Sequence, residues 1–208
     1  MKIIGKISAI VAVLGLATVT LGGIAYYSVN RLDAAAERLD AASQRAYLLE
    51  RINRHITAVV MDARGTYMST TPERAERFAA GIMNFLDELD KDVADLAPLV
   101  PPSERAMFDA MVADLQGFRE FRSETARLAV EEGGPAANAQ GNTDANRANR
   151  KALQATVDAY TTEVQNTVQE ARSRASAFAN RISTVVIFAT VLSLLIGVAI
   201  AMVIGIRS

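Results

Sequence analysis

The apolar positions of this chain fall into two regimes. From Ile7 to Asn30, and again from Ile182 to Ile206, no charged residue interrupts the sequence. Each run exceeds the roughly 20 residues that a helix needs to cross about 30 Å of hydrocarbon. Between the runs, apolar residues recur in alternating steps of three and four, as on amphipathic helices that share a core. The first such seam reads Leu32, Leu39, Ala42, Ala46, Leu49, Asn53, Ile56, Val60, Ala63 and Tyr67, with Asn53 its polar exception. No glycine or proline occurs between Gly23 and Gly65, so the first apolar run is expected to continue into this helix without a break.

Thr70, Thr71, Pro72 and Glu73 read as a stop and a new start, with a threonine N-cap, proline at the first helical position and an acid in the first turn. A second helix follows, with Phe78, Ile82, Phe85, Leu86, Leu89, Val93 and Leu96 as its stripe, and Pro98, Pro101 and Pro102 end it. Ser103 is expected to cap a third helix whose inward residues are Met107, Met111, Leu115, Phe118, Phe121, Thr125 and Leu128. Residues 133–146, small, polar and aperiodic, read as a long loop. A fourth helix starts near Arg147, and its seam of Leu153, Val157, Tyr160, Val164, Thr167, Ala171 and Phe178 runs into the second apolar run. None of the four can bury its stripe alone, so the expected fold is all-α, an antiparallel four-helix bundle between two transmembrane helices. The outer pair is longer than the inner pair. That places the turn at Pro98 to Pro102 above the membrane and the Thr70 turn and the 133–146 loop at the far tip.

The resulting organisation is a short N-terminus at 1–6, spans at 7–30 and 182–206, a bundle at 31–181, and the start of a further segment at 207–208. The first run also has the outline of a secretory signal, with Lys2 and Lys6 before it and Gly22, Gly23 and Ala25 at its end. Its length and the interfacial pair Tyr26 and Tyr27 favour an uncleaved anchor. Lys2, Lys6 and Arg207 assign both ends to the cytoplasm by the positive-inside tendency, and the bundle to the outside. The bundle carries 19 basic against 23 acidic residues, a formal charge of −4, which is no footprint for nucleic acid. The chain has no cysteine and one histidine, which removes thiolate zinc sites, covalent haem attachment and paired Glu-x-x-His sites. No catalytic site, metal site or cofactor is legible, and the reading is of a non-enzyme.

Candidate chemistry concentrates at the tip. Arg64 and Tyr67 are three residues apart and share a helix face. Counting down from the tip brings Arg147, Arg150 and Lys151 of the last helix to the same height. Such a cluster can hold a carboxylate or another anion in guanidinium forks, aided by the N-terminal amides of the last helix. It also reads as a solvated basic surface paired with Glu73 or Glu76, and Arg54 reads as the partner of Glu50. His55 lies one step behind the core position Ile56 and reads as flanking or partly exposed. Asn53 in the seam could fix the register of a dimer or form a hydrogen bond inside the bundle. Phe78, Phe85, Met107, Met111, Phe118 and Phe121 read as core, and the run from Asp87 to Asp95 as a solvated face.

A short basic start, a span, a helical bundle and a second span that leads into an arginine resemble the sensory half of a methyl-accepting chemotaxis protein. Segments such as RLDAAAERLDAASQRAYLLERINRHITAVVMDARGTY share its character. The resemblance implies a bacterial inner-membrane protein whose periplasmic bundle forms a homodimer in the lipid bilayer. It implies a ligand, either a small molecule such as an anion or a periplasmic binding protein, and a signal carried by displacement of the last helix along its axis. Such receptors continue into a linker domain and a methylated coiled coil, whereas this sequence reads to Ser208. The same module serves sensor histidine kinases and cyclases as an input domain. An accessory membrane bundle with no sensing role is the reading from another class.

Overall fold

Residues 3–206 are described by the computed structural model. Of their side chains, those at 3–7, 9, 10, 13, 14, 201 and 203–206 are left outside the description. The expected cytoplasmic ends therefore fall wholly or partly outside the described residues. Five α-helices occur in the order α1 (Ile3–Tyr67), α2 (Pro72–Leu96), α3 (Arg105–Glu131), α4 (Gly134–Gly141) and α5 (Asp144–Ile206). A 3₁₀ turn at Ala97–Leu99 follows α2. The chain divides into two compact units, residues 40–168 and the paired terminal arms 1–39 with 169–208.

Unit 40–168 is a four-helix bundle, built from the end of α1, from α2 and α3, and from the start of α5. Neighbouring helices run in opposite directions. Along α1 and α2, Arg51 meets Asp92, Asp62 faces Gly81 and Gly65 faces Phe78, so one index falls as the other rises. α1 meets α5 through Gln154 and Asn53, and α3 meets α5 through Thr156 and Asp114.

The buried positions of the helices recur mainly in steps of three and four, and they differ from the apolar reading in an informative way. On α1 the buried seam is Ala42, Arg45, Leu49, Ile52, Ile56, Val59, Ala63 and Thr66, with Leu48 and Val60 buried beside it. Ala42, Leu49, Ile56, Val60 and Ala63 were expected, whereas Arg45, Ile52 and Thr66 replace Ala46, Asn53 and Tyr67. On α3 the set is Phe108, Met111, Leu115, Phe118, Arg122, Thr125, Ala126 and Ala129. Met107, expected inward, is exposed, and Phe121 and Leu128 are half-buried flanks. Both helices place an arginine and a threonine in the seam, and an apolar reading steps around them to a neighbour. On α5 Leu153, Val157, Tyr160 and Val164 are buried as the period requires.

The turns show a similar mixture. Thr71 caps α2, its hydroxyl accepting from the Arg74 amide, with Pro72 behind it. The α3 start differs from expectation: Glu104, not Ser103, holds the N-cap position and makes no side-chain cap. Its carboxylate instead turns inward, where Arg45 Nη2 donates to Oε1 at 3.1 Å and the Tyr160 hydroxyl donates to Oε2 at 3.2 Å. Arg45 Nη1 also reaches the Leu99 carbonyl at 3.4 Å. Burial, with Glu104 beside it, pushes the Tyr160 hydroxyl well above the usual tyrosine range. The expected loop at 133–146 is largely helical, as α4, and α5 begins at Asp144 rather than Arg147. Small residues permit this. Gly133 takes a positive φ of 92°, and Gly134 lies so close to the Thr66 and Ser69 carbonyls that a side chain there would collide with backbone.

The arms are the ends of two continuous helices. Among the described residues, α5 is long and apolar enough to cross a membrane. Its run shows Ile187, Phe188, Leu192, Leu194 and Leu195 on the outside.

The Arg45–Glu104 pair supplies a test of the bundle. Both side chains are more than nine-tenths buried, so Glu104→Ala leaves an uncompensated guanidinium and should cost about 3–5 kcal/mol. The double variant Arg45→Met/Glu104→Leu should recover most of that loss in urea unfolding of the chain in micelles. Equal losses in the two would show that charge pairing is not what Glu104 contributes.

Candidate functional site

A cleft of about 360 Å³ opens in the bundle where α1 ends and α5 begins. Val60, Arg64 and Tyr67 come from the last turns of α1, Met68 from the residue after it, and Arg122 from α3. Asn138, Gly141 and Asn142 come from α4 and its end, and Asn146, Arg147 and Arg150 from the first turns of α5. The four residues expected at a tip cluster, Arg64, Tyr67, Arg147 and Arg150, are thus brought to one cavity. Lys151 is exposed and does not line it.

α4 makes this cavity. It docks on α3 through Gln140, whose Oε1 accepts from the Thr125 hydroxyl at 2.7 Å and whose Nε2 donates to the Phe121 carbonyl at 3.2 Å. Beyond it, the Thr143 hydroxyl accepts from the Asn146 amide, so the chain caps the start of α5 itself. The expected role of free α5 amides narrows accordingly.

Arg122 is the residue that sequence reasoning missed. It is 2% exposed and lies in the α3 seam. Its Nη1 donates to the Tyr67 hydroxyl at 2.9 Å, and its guanidinium lies 5.5 and 5.4 Å from the ring centroids of Phe118 and Phe121. Its Nε is buried without a hydrogen-bond partner. Burial pulls its pKa down, Tyr67 opposes that, and the nearby charges of Arg150 and Arg64 add to the fall. The spacing of Phe118, Arg122, Thr125 and Ala129 was the signal available: an arginine in heptad phase between apolar residues. Tyr67 is held from the other side by Gly141, where a methyl group would lie 1.9 Å from the hydroxyl.

The electrostatics of the cleft are one-signed. Arg147 is paired with Asp144 at 2.6 Å and donates to Asn142 Oδ1 at 2.8 Å. Arg64, Arg122 and Arg150 have no carboxylate within ion-pair distance among the described residues. The alternative pairing of the cluster with Glu73 or Glu76 is not formed. No carboxylate lines the cavity.

The remaining candidates lie elsewhere. Asn53 is a half-buried flank of the seam, and its Oδ1 accepts from Gln154 Nε2 at 2.8 Å, which sets register between α1 and α5 within the chain. His55 is a flanking residue, with Nε2 at 3.2 Å from Asp92 and its ring 6.0 Å from that of Phe85. Asp92 departs from the solvated face expected of its segment: it is fully buried, with Arg51 at 2.9 Å on its other oxygen. Both contacts are ion pairs by distance rather than aligned hydrogen bonds. Burial raises its pKa, Arg51 and then His55 pull it back, and Glu88 and Asp95 add to the rise.

A buried-seam helical bundle with a basic cleft and long continuous outer helices is the class of helical sensory domains. Over residues 1–179 the chain matches the family described as "Four helix bundle sensory module for signal transduction", and it belongs to that family. The resemblance to the sensory half of methyl-accepting chemotaxis proteins holds at that level. A solved structure described as the periplasmic sensor domain of a sensor histidine kinase is similar at a TM-score of 0.45. The two are 17% identical, over 72% of this chain and 95% of that one. No curated protein matches the chain in sequence.

Two measurements test this geometry. Tyr67→Phe removes a hydrogen bond to a charged group and should cost about 1.5–3 kcal/mol. In a Gly141→Ala background, where the hydroxyl is already displaced, it should cost almost nothing more; additive losses would separate Gly141 from Tyr67. For Asp92, folding favours the protonated form, because the folded pKa lies above the ordinary aspartate value of 3.8. The stability this group contributes is complete below that value and is lost as pH rises through the folded pKa. Asp92→Asn should flatten that part of the stability profile, and an unchanged slope would contradict it.

Proposed function

We propose that this chain is the transmembrane sensory module of a bacterial chemoreceptor-type protein, and that it binds a small anion in the cleft at the start of α5. The observation that carries the reading is that one helix holds both ends of the pathway. Asn146, Arg147 and Arg150 line the cleft in the first turns of α5, and the same helix continues to Ile206 through the uncharged run that begins at Ile182.

The basic cleft supports anion binding physically. Three guanidiniums without carboxylate partners repel one another at close range, and an anion that bridges them relieves that repulsion while filling their donor forks. Because they arise from α1, α3 and α5, the anion favours whichever arrangement of the three brings them together. Binding then shifts an existing equilibrium by its differential affinity for the two arrangements, and by no more.

The arms support a membrane setting. A helix apolar on all faces has no buried side in water, and hydrocarbon removes that cost. In this reading both spans cross the bacterial inner membrane, both ends lie in the cytoplasm and the bundle lies in the periplasm, with a second copy of the chain beside it. The output is chemotaxis or another two-component response, set by whatever domain follows the second span.

The test separates binding from transmission. Arg64→Ala should weaken anion affinity about tenfold, equivalent to about 1.4 kcal/mol, and leave the response at saturation intact. Arg174→Pro, in the exposed stretch of α5 where Arg174 pairs only with Glu170, should leave affinity unchanged and abolish the response. The response is read from an output domain fused after Ser208. The same phenotype in both variants would rule the pathway out.

A further inference from the structure

The donors and acceptors of the cleft narrow the kind of anion it can take, a narrowing that rests on the anion-binding function just proposed. Donors dominate. Arg64, Arg122 and Arg150 present guanidiniums that no carboxylate engages among the described residues, and Arg122 Nε is unpartnered although the residue is 2% exposed. Because Tyr67 accepts from Arg122, its own O–H is directed to donate.

The side-chain acceptors that line the cleft are neutral, the amide oxygens of Asn138, Asn142 and Asn146 and the Tyr67 hydroxyl. Asn142 Oδ1 accepts from Arg147, and the Gly141 carbonyl accepts from the Asn146 side-chain amide. Asp144, in the first turn of the same helix, is almost fully exposed and bound to Arg147. A cationic group entering this cavity finds no carboxylate to receive it and three like charges around it. Its charge would go unpaired.

One carboxylate has two oxygens and forms one fork, so it can satisfy one guanidinium fully. Three guanidiniums carried by three different helices need more than one anionic group to be engaged together. A cavity of about 360 Å³ has room for a small organic acid that carries them.

We infer that the cleft selects small di- and tricarboxylates that carry no ammonium group, and discriminates against amino acids of the same carbon skeleton. Succinate and aspartate differ by that one group. The discrimination arises from what the site lacks, a carboxylate to pair with N⁺–H, as much as from the like charges it presents.

Isothermal titration calorimetry tests this with the 208-residue chain in lipid nanodiscs, using succinate, citrate, L-aspartate, acetate and inorganic phosphate at one ionic strength. The expected result is that succinate or citrate binds at least about tenfold more tightly than aspartate and acetate. Arg150→Gln, at a half-buried position with no internal partner, should lose that advantage while its thermal unfolding midpoint stays at the wild-type value. Aspartate binding as tightly as succinate overturns the ammonium discrimination and leaves an anion site in place. Acetate matching succinate overturns the requirement for two anionic groups. Phosphate alone binding overturns the carboxylate class, again with the anion site intact. If none of the five binds, both this inference and the anion-binding reading beneath it fail.

Discussion

A guanidinium placed in an apolar seam must be solvated by the protein itself, and the tip of this bundle is arranged around that requirement at Arg122. The residue occupies a heptad position between Phe118 and Thr125, where leucine would pack without cost. Two ring faces and one tyrosine hydroxyl supply part of its solvation, and Nε receives none. The arrangement propagates outward. Tyr67 must stand where its oxygen meets Nη1, Gly141 must lack a side chain for Tyr67 to stand there, and α4 must be present to carry Gly141. The cleft lies at this height, with Arg122, Tyr67 and Gly141 in its lining.

The opposite end of the bundle answers the same physical problem with a different solution. Arg45 also sits in a seam, but there a carboxylate from the start of α3 neutralises it, and Tyr160 closes the second oxygen. The contrast separates structure from function within one fold. Where the buried arginine is matched by an acid, the site is complete and closed. Where it is matched only by neutral groups, among further cations that no carboxylate engages among the described residues, the charge stays uncompensated, and the proposed anion binding rests on that difference.

Those two arginines also explain how much of the structure was legible in the sequence. The helices, the Thr71 cap and the α5 seam were read directly, because a strong three-four period and turn chemistry act locally. Three positions of the expected α1 seam were displaced by one residue, and several α3 positions too; at Arg45 and Arg122 the cause is that an apolar reading refuses an arginine and takes Ala46 and Phe121 in its place. Each substitute is only half-buried. Asp92 and Glu104 were hidden for the same reason: burial of an acid depends on a partner from another helix, and single-helix periodicity carries no record of partners. Arg64, Tyr67, Arg147 and Arg150 could be placed together because counting residues from a common turn fixes height along a bundle. α4 could not be seen, since an eight-residue helix of small and amide-bearing residues has too little amphipathicity to leave a periodic trace.

The Tyr160–Glu104 hydrogen bond has a mechanical side. It joins α5 to the first residue before α3 at 3.2 Å, close to the outer limit of a useful bond. A slide of α5 by a single residue's rise, about 1.5 Å, carries the hydroxyl out of reach and strands a buried oxygen. The bond therefore resists only displacements within its own reach, and a longer slide breaks it and leaves Arg45 as the sole side-chain partner of Glu104 among the described residues.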